Sequence, residues 1–166
     1  MSGADPANPG VSALDLSMME RALQLADQAA SLGEVPVGAV VYRTADGTIV
    51  GDGFNRREID KDPAAHAEFA AIMSACNATG DWRLNDCSLA VTLEPCPMCA
   101  GLIVNARVGR VLYGADDPKA GACRSLFAIA TDARLNHRAE LIAGVMAEES
   151  ASKLRAFFRE LRARGG

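Results

Sequence analysis

Two short segments of the sequence hold residue types that bind metals or transfer protons. The segment TLEPCPMCAG contains Cys96 and Cys99, and the segment DPAAHAE contains His66 and Glu68. A Cys-x-x-Cys pair is compatible with a redox dithiol, with half of a structural zinc site, or with two ligands of a catalytic metal. The rest of the chain has to distinguish these three kinds of site.

The number of candidate ligands favours a catalytic metal. Cys96 and Cys99 are spaced i, i+3 at a predicted helix start, so they lie on one side of it and can hold one ion. A redox dithiol has no use for a histidine, and a structural zinc site usually needs four protein ligands. The chain has no second Cys-x-x-Cys, and its two histidines are His66 and His137. His66 is the natural third ligand, which leaves one position open for chemistry.

Glu68 is the candidate acid and base of this site. In the first turn of a helix its side chain can curl towards the helix end and so reach the same point as His66. A metal held by one imidazole and two thiolates lowers the pKa of a coordinated water to about 7, and a carboxylate beside that water is placed to move protons. The alternative is that Glu68 only stabilises the helix dipole, as any first-turn glutamate does.

Hydrophobic periodicity indicates the elements that position these segments. Helical spacing predicts a first helix that stops at Gly33, and Asp62 and Pro63 predict the N-cap and first residue of a second helix. A third helix is predicted from Pro95, and a last one covers AEESASKLRAFFRELRAR. Strands are predicted at VGAVVYR, TIVGDGF, CSLAVTL, RVLYGA and AELIAGVM. This order predicts a layered α/β domain around one mixed sheet.

Composition limits the domain count, the location and the partners. A chain of 166 residues is about one domain long, and we predict a flexible leader over residues 1 to 13 and a single domain over residues 14 to 166. The five irregularly spaced cysteines and the lack of a signal-peptide pattern predict reduced thiols in the cytoplasm. No apolar run approaches the roughly 18 residues of a membrane span. The net charge of −4 gives no general attraction to nucleic acid, so such a partner would need a local patch.

The two-part motif H-x-E and P-C-x-x-C is the signature of zinc-dependent deaminases. The chain resembles the bacterial tRNA adenosine deaminases of the cytidine deaminase superfamily from about Met19 to Arg162. The segments that carry the resemblance are EVPVGAVV, GFNR, DPAAHAE, VTLEPCPMCAG, NARVGRVLYGADDPKAGA, LNHR and FFRELR. The resemblance implies a three-layer α/β/α, cytidine-deaminase-like fold with a central mixed five-stranded sheet. It also implies a homodimer that acts on a tRNA anticodon stem-loop.

The resemblance implies one Zn²⁺ per chain, held by His66, Cys96 and Cys99. Glu68 would take a proton from water, pass it to the purine ring nitrogen and then protonate the departing ammonia, which converts adenosine to inosine at the wobble position. The implied substrate contacts are Asn55, Val37, Pro95, Asp117 and Lys119. Each has a structural alternative: an Asx turn for the asparagine, core or helix-start packing for the valine and proline, and solvated loop charges for the last two.

The last predicted helix has one basic and one apolar face. Arg155, Arg159 and Arg162 recur at helical spacing, and residues 151 to 166 carry five basic side chains and one acidic side chain. The helix can supply phosphate contacts and a stacking surface for an anticodon loop, and Phe158 and Arg162 are predicted RNA contacts. The alternative is that its phenylalanines belong to the core and that its arginines only suit the helix dipole.

Three rival functions stay open at this stage. A guanine or cytosine deaminase shares the zinc motif, although LNHR and FFRELR argue against it. An inactive accessory subunit would have lost Glu68, which is present. A zinc-stabilised binding module would need a fourth ligand, for which the sequence offers no good candidate, although it leaves Cys87 and Cys123 open. Two residues depart from the family pattern, namely Phe69 after the glutamate and Arg124 where glycine is usual, and Arg124 could reshape its loop or contact a phosphate.

Overall fold

Residues 8 to 165 are described by the computed structural model of this protein, and five strands form their central sheet. The strands are β1 (Gly38–Arg43), β2 (Ile49–Phe54), β3 (Cys87–Leu93), β4 (Arg110–Ala115) and β5 (Glu140–Ala143). They lie in the order β2-β1-β3-β4-β5. β1 is antiparallel to both of its neighbours, whereas β3, β4 and β5 are parallel. The predicted mixed five-stranded sheet is confirmed.

Helices cover both faces of this sheet. They are α1 (Ala13–Ser31), α2 (Arg57–Asp60), α3 (Ala67–Thr79), α4 (Pro97–Asn105) and α5 (Ala147–Gly165), with a 3-10 helix at Ile129–Thr131. Because side chains alternate along a strand, Ala39 and Val41 enter the core on the α3 and α4 side. Val40 and Tyr42 enter the core on the other side, with α1, which also packs against α5. The three-layer α/β/α arrangement is therefore confirmed.

A buried ion pair fastens α1 to the sheet. Asp15 closes a capping box with Ser12 at the start of α1, and it is only 3% exposed. Its carboxylate accepts two hydrogen bonds from Arg110 of β4, at 2.7 and 2.9 Å, and one from the Tyr42 hydroxyl at 2.7 Å. Burial alone would raise the pKa of Asp15, but these hydrogen bonds and that of the Ser12 amide lower it to about 2.

The predicted leader, residues 1 to 13, overlaps this packed region. Its residues 1 to 7 lie outside the part of the chain that the structure describes. The side chain of Val11 is 1% exposed, and the Asn8 side-chain amide donates to the carbonyl of Ala143 at 3.2 Å. Arg110 also donates to the carbonyl of Gly10 at 3.0 Å. Residues 8 to 12 therefore pack against the domain in the described structure.

Two predicted helix starts are wrong by a few residues. The second helix begins at Ala67 with His66 as its N-cap, because the Asp62 carboxylate instead accepts from the Ala64 amide at 2.8 Å and closes a local turn. The third begins at Pro97 and not at Pro95. A proline at the first helical position sacrifices no hydrogen bond, since that amide has no partner in the helix. The short α2 and the 3-10 helix had no signal in the periodicity.

None of the helices in the described part of the chain combines the length and the apolar character that a membrane crossing requires.

Candidate metal centre and adjoining cavity

The candidate ligands meet at one edge of the sheet because of its topology. β1 runs antiparallel to β2 and to β3, so β2 and β3 point the same way, and β4 is parallel to β3. The carboxyl ends of these three strands therefore share one edge, which is where ligand sites of α/β sheets form. Asn55 follows β2, Cys96 follows β3 and Asp117 follows β4. The sequence predicted the strands, and their pairing brings these residues together.

His66, Cys96 and Cys99 form a compact group of ligand atoms, all within 4.8 Å of one another. His66 and Cys96 are the N-caps of α3 and α4, and Cys99 lies in the first turn of α4. The His66 Nδ1 atom lies 3.5 Å from the Sγ atom of each cysteine. A tetrahedral zinc ion, with bonds of about 2.3 Å to sulfur and about 2.1 Å to nitrogen, separates such atoms by roughly 3.6 Å. The three side chains therefore fit one metal ion.

No fourth protein ligand completes this group among residues 8 to 165. Cys87 and Cys123, which the sequence left open as fourth ligands, are both buried and are not part of it. The ring nitrogen of His137 lies 2.7 Å from the carbonyl of Val108, away from the cysteines. Three protein ligands with an open position are typical of catalytic zinc sites, whereas structural sites are closed.

The two cysteines differ in their readiness to ionise. The Cys99 side chain hydrogen-bonds to Cys96 and lowers the pKa of Cys96 to about 4, with a further hydrogen bond to His66 in the same direction. The same Cys96 contact, together with burial, raises the pKa of Cys99. Hydrogen bonding to Cys96 also raises the pKa of His66. Cys99 therefore releases its proton less readily than Cys96 does, and that proton has to leave when a metal binds.

Glu68 is buried beside the three ligands but is not a member of their group. It is the second residue of α3, and its side chain is 4% exposed. Burial disfavours the charged carboxylate and raises the pKa of Glu68 to about 7. A carboxyl group with a pKa near neutrality exchanges protons readily in both directions.

A cavity of about 210 Å³ opens directly onto Glu68. His66 and Cys96 contribute to its lining, as do three of the predicted substrate residues, Val37, Asn55 and Asp117. The other lining residues are Val35, Arg57, Ala67, Leu93, Glu94 and Ala120. Apolar walls with a few convergent polar groups are typical of small-ligand sites. Pro95 is not among the lining residues, although it directly precedes Cys96.

Asn55 combines a local turn with a place on the cavity. Its Oδ1 accepts from the Arg57 amide at 3.3 Å, which is the Asx-type contact that the sequence offered as an alternative. Its Nδ2 donates to Val35 O at 3.3 Å and to Glu34 Oε2 at 3.4 Å. Glu34 is 1% exposed and also accepts from the Ile59 amide at 2.7 Å. The amide of Asn55 is thus held in one orientation beside the cavity.

A second, basic groove of about 520 Å³ is lined by the last helix. Its lining residues are Lys119, Leu154, Arg155, Phe158, Arg159 and Arg162. Phe158 is 40% exposed, so the alternative that it belongs to the core is wrong. The groove therefore collects Lys119, Phe158 and Arg162, whereas Pro95 lines neither recess.

The two departures from the family pattern have different surroundings. Phe69 is half-buried in α3, immediately after Glu68. Arg124 donates to both carboxylate oxygens of Asp116, at 3.0 and 2.9 Å. Asp116 also accepts from the Tyr113 hydroxyl at 2.9 Å. The Nε and Nη2 atoms of Arg124 are therefore paired within its own loop.

The sequence did not reveal two charged residues of the cavity lining, Arg57 and Glu94, or the buried Glu34 that contacts Asn55. Glu34 and Glu94 act through contacts with residues 21 to 31 positions away, which periodicity does not connect. The one available signal was the position of Glu94 directly before Pro95 and Cys96. Burial alone would raise the pKa of Glu94, but hydrogen bonds from Ser125 and from loop amides lower it, so the carboxylate is charged.

Comparisons with known proteins agree with this fold and site. Residues 14 to 162 match the family described as MafB19-like deaminase. A tRNA-specific adenosine deaminase of Bacillus subtilis (strain 168) is 47% identical over 144 residues, which cover 87% of this chain and 88% of that protein. A solved structure from studies of A-to-I editing by tRNA:A34 deaminases at the wobble position is 42% identical. It covers 83% of this chain and 99% of its own, with a TM-score of 0.78.

A solved guanine deaminase from Bacillus subtilis matches over a shorter stretch. It is also 42% identical, but the match covers 60% of this chain and 63% of that one, with a TM-score of 0.57. The structural agreement therefore extends further along the chain for the tRNA:A34 deaminase than for the guanine deaminase.

Proposed function

This chain belongs to the MafB19-like deaminase family and, within it, to the tRNA-specific adenosine deaminases, and we propose that it hydrolyses adenosine to inosine at the wobble position of a tRNA anticodon loop. The observation that carries this proposal is the geometry at the sheet edge. A three-ligand metal group and the buried carboxyl of Glu68 adjoin one cavity, whose wall includes Asp117 and Ala120, and Lys119 between them lines a basic groove.

We propose Zn²⁺ as the cofactor, one ion per chain, with His66, Cys96 and Cys99 as its ligands. Two thiolates and an imidazole are the donor set that suits zinc, and the 3.5 Å separations of their atoms support it. Zinc held in this way supplies an activated water, whose pKa falls to about 7.

The protein's own part in the chemistry falls to Glu68. With a pKa of about 7, Glu68 accepts the proton of the attacking water and donates it to the N1 nitrogen of adenine. Once the water oxygen has bonded to C6, Glu68 takes the second proton from that hydroxyl and gives it to the exocyclic amine. The C6–N bond then breaks, ammonia leaves and the C6 carbonyl of inosine forms, so that water and adenosine become inosine and ammonia. The buried position of Glu68 keeps bulk water away from these transfers.

The substrate contacts are proposed from the two recesses. Val37 packs against the base and Asn55 contacts the nucleoside, with Pro95 next to them at the start of the Cys96 segment. Asp117 and Lys119 contact the sugar and phosphates of the target nucleotide, and Phe158 and Arg162 contact the neighbouring nucleotides. The exposed ring of Phe158 supports a stacking role, because every base presents a face that an aromatic ring can stack on.

The remaining proposals concern assembly and location. We propose a homodimer, which the exposed apolar side chains of Met98, Leu126 and Phe127 support, since α4 contacts the 3-10 helix that follows Leu126 and Phe127. We also propose a cytoplasmic location, where tRNA is available and the thiol ligands stay reduced.

The test is inosine formation by the full chain loaded with zinc. The substrate is an anticodon stem-loop with adenosine at the wobble position, and the comparisons are the same loop with guanosine there and free adenosine, guanine and cytosine. We expect inosine in the first RNA and little turnover of the free compounds. Efficient deamination of free guanine or cytosine, with none on the stem-loop, would contradict the proposal.

A further inference from the structure

A second buried carboxylate lies beside the metal group, and the proposed chemistry does not use it. Glu94 connects β3 to Cys96, and its side chain is 2% exposed. Five donors surround it, and all five come from residues 117 to 125. Its Oε2 accepts from the Asp117 amide at 2.9 Å and from the Ser125 hydroxyl at 2.5 Å. Its Oε1 accepts from the amides of Cys123, Arg124 and Ser125, at 3.2, 2.8 and 2.8 Å.

The loop of residues 116 to 125 is wrapped tightly around this carboxylate. A Cβ atom added at Gly121 would lie 2.2 Å from Glu94 Oε2 and 2.6 Å from Asp117 O, so only glycine allows the approach. The Ala122 amide donates to Pro95 O at 2.8 Å, which joins the loop to the residue before Cys96. The loop is therefore built on the Glu94 carboxylate and on the backbone of the metal-ligand segment.

The ion pair within this loop is weaker than the hydrogen bonds to Glu94. Arg124 and Asp116 form an ion pair, but their side chains are 55% and 49% exposed. Exposed ion pairs contribute little to stability because water screens them, whereas buried hydrogen bonds to a charged group are strong. Among the side chains that contact the loop, Glu94 therefore makes a stronger set of contacts than the Arg124–Asp116 pair does.

The same loop provides part of both recesses. Asp117 and Ala120 line the cavity that opens onto Glu68, and Lys119 lines the basic groove. The Asp117 carboxylate accepts from the amides of Lys119 and Ala120, at 3.0 and 3.2 Å, which fixes the turn that presents them. Anything that holds this loop therefore sets the alignment of the cavity with the groove.

We propose that Glu94 is a positioning residue for the substrate: it holds residues 116 to 125 as the wall between cavity and groove, so that Asp117 and Lys119 face the target nucleotide. This inference rests on the proposed function. A carboxylate is required because two oxygens must accept five hydrogen bonds. A glutamine in its place has nearly the same volume, but its NH2 group would face the amide and hydroxyl donors of the loop and could not accept from them.

The main variant is Glu94→Gln in the zinc-loaded chain, assayed on the adenosine stem-loop. Because the loop is released while the metal group and Glu68 are intact, we expect KM to rise about tenfold or more, with kcat and zinc content changed little. Amide hydrogen exchange of residues 117 to 125 should become faster. The double variant Glu94→Gln, Lys119→Gln should have the same KM as the single variant with the higher KM, since Glu94 acts through the residues of the loop.

The matched control is Tyr42→Phe, which removes a buried hydrogen bond to Asp15 on the other face of the sheet. It should lower thermal stability and leave KM unchanged. A Glu94→Gln variant that behaves like this control, or whose residues 117 to 125 exchange as slowly as in the parent, overturns the inference. Should Glu94→Gln fail to fold, Gly121→Ala presses on the same carboxylate from the loop side and should raise KM in the same way.

The two proposals fail differently in this experiment. A parent chain that forms no inosine in the stem-loop contradicts the proposed function and removes the substrate role of Glu94 with it. An active parent with an unchanged KM in both Glu94→Gln and Gly121→Ala contradicts only the role of Glu94.

Discussion

Environment decides which residues of this chain act as acids, bases and ligands. Glu68 and Glu94 are both buried, yet their pKa values move in opposite directions. Burial dominates at Glu68 and brings its pKa to about 7, whereas hydrogen bonds from the loop keep Glu94 charged. The first carboxyl is thereby suited to proton transfer and the second to holding a structure in place.

Replacing Glu68 by glutamine tests the proton-transfer role. The change keeps the shape of the side chain and leaves the metal ligands intact, so folding and zinc content should match those of the parent. Turnover should fall by about 10²–10⁴-fold or more, because the variant cannot take up and release the proton. Turnover within a few-fold of the parent would show that Glu68 only stabilises the dipole of α3.

Removing one cysteine tests the ligand set. The parent should contain one zinc per chain, and Cys96→Ala or Cys99→Ala should lose it, since two remaining ligands bind zinc weakly. Cys87→Ala is the control, because Cys87 lies outside the ligand group and should leave the zinc content unchanged. Elemental analysis gives the zinc content per chain of the purified parent and of the three variants. Full zinc in Cys99→Ala would exclude this site.

At the scale of elements, the helix starts do most of the positioning. α3 and α4 begin beside each other at the sheet edge, so His66 and Cys96 can meet although they are 30 positions apart. On the other face, Asp15 joins the start of α1 to β1 through Tyr42 and to β4 through Arg110. This second junction holds the layer of α1 in register with the strands.

Asp15→Asn tests this junction through the pH dependence of stability. The folded-state pKa of Asp15, about 2, lies below its ordinary value of 3.8. Its stabilising contribution is therefore present above about pH 4 and lost as the pH falls through about 2. We expect the variant to lower the free energy of unfolding by about 2–3 kcal/mol at pH 7. The difference from the parent should shrink as the pH falls from about 4 towards 2, as measured by urea unfolding.

Asp27→Asn is the matched control for that series. Asp27 pairs with Lys153 at 2.6 Å, but its side chain is 60% exposed. An exposed pair contributes at most about 1 kcal/mol. If Asp15→Asn lowers the free energy of unfolding no more than Asp27→Asn does, the proposed strength of the buried junction is contradicted.

Across the whole molecule, charge is distributed unevenly. The chain has a net charge of −4, yet residues 151 to 166 carry five basic side chains and one acidic one. Arg155, Arg159 and Arg162 line one groove with Lys119 and the exposed Phe158. An acidic body repels RNA elsewhere, so under the proposed function this groove would orient an incoming anticodon loop towards the cavity.

Changing Arg155, Arg159 and Arg162 together to glutamine tests this groove. Each phosphate contact to single-stranded RNA contributes roughly 0.7 to the slope of log affinity against log salt. The triple variant should therefore bind the stem-loop more weakly and flatten that slope by about two, with its zinc content unchanged. A matched triple variant at Arg43, Arg83 and Arg134, which line neither recess, should keep most of the slope. Equal behaviour of the two variants would make the groove an ordinary solvated face.

The sequence by itself determined the elements and the chemistry that short spacings encode. CSLAVTL and RVLYGA coincide with β3 and β4, because buried parallel strands require continuous apolar runs whatever lies next to them. The mixed sheet and the similarity to tRNA adenosine deaminases also followed from segments that can be read locally. The roles of His66, Glu68, Cys96 and Cys99 were predicted from motif spacing and stay predictions until the variants above are measured.

Tertiary structure alone decided how distant residues combine. Glu94 takes its place from donors 23 to 31 positions further along the chain, and Asn55 is held by Glu34, 21 positions before it. The exposure of Phe158 and the distribution of the predicted contacts between two recesses depend on how α5 packs over β4. Periodicity reports only neighbours within a few residues, whereas burial and long-range hydrogen bonds exist only after the sheet has brought its strands together.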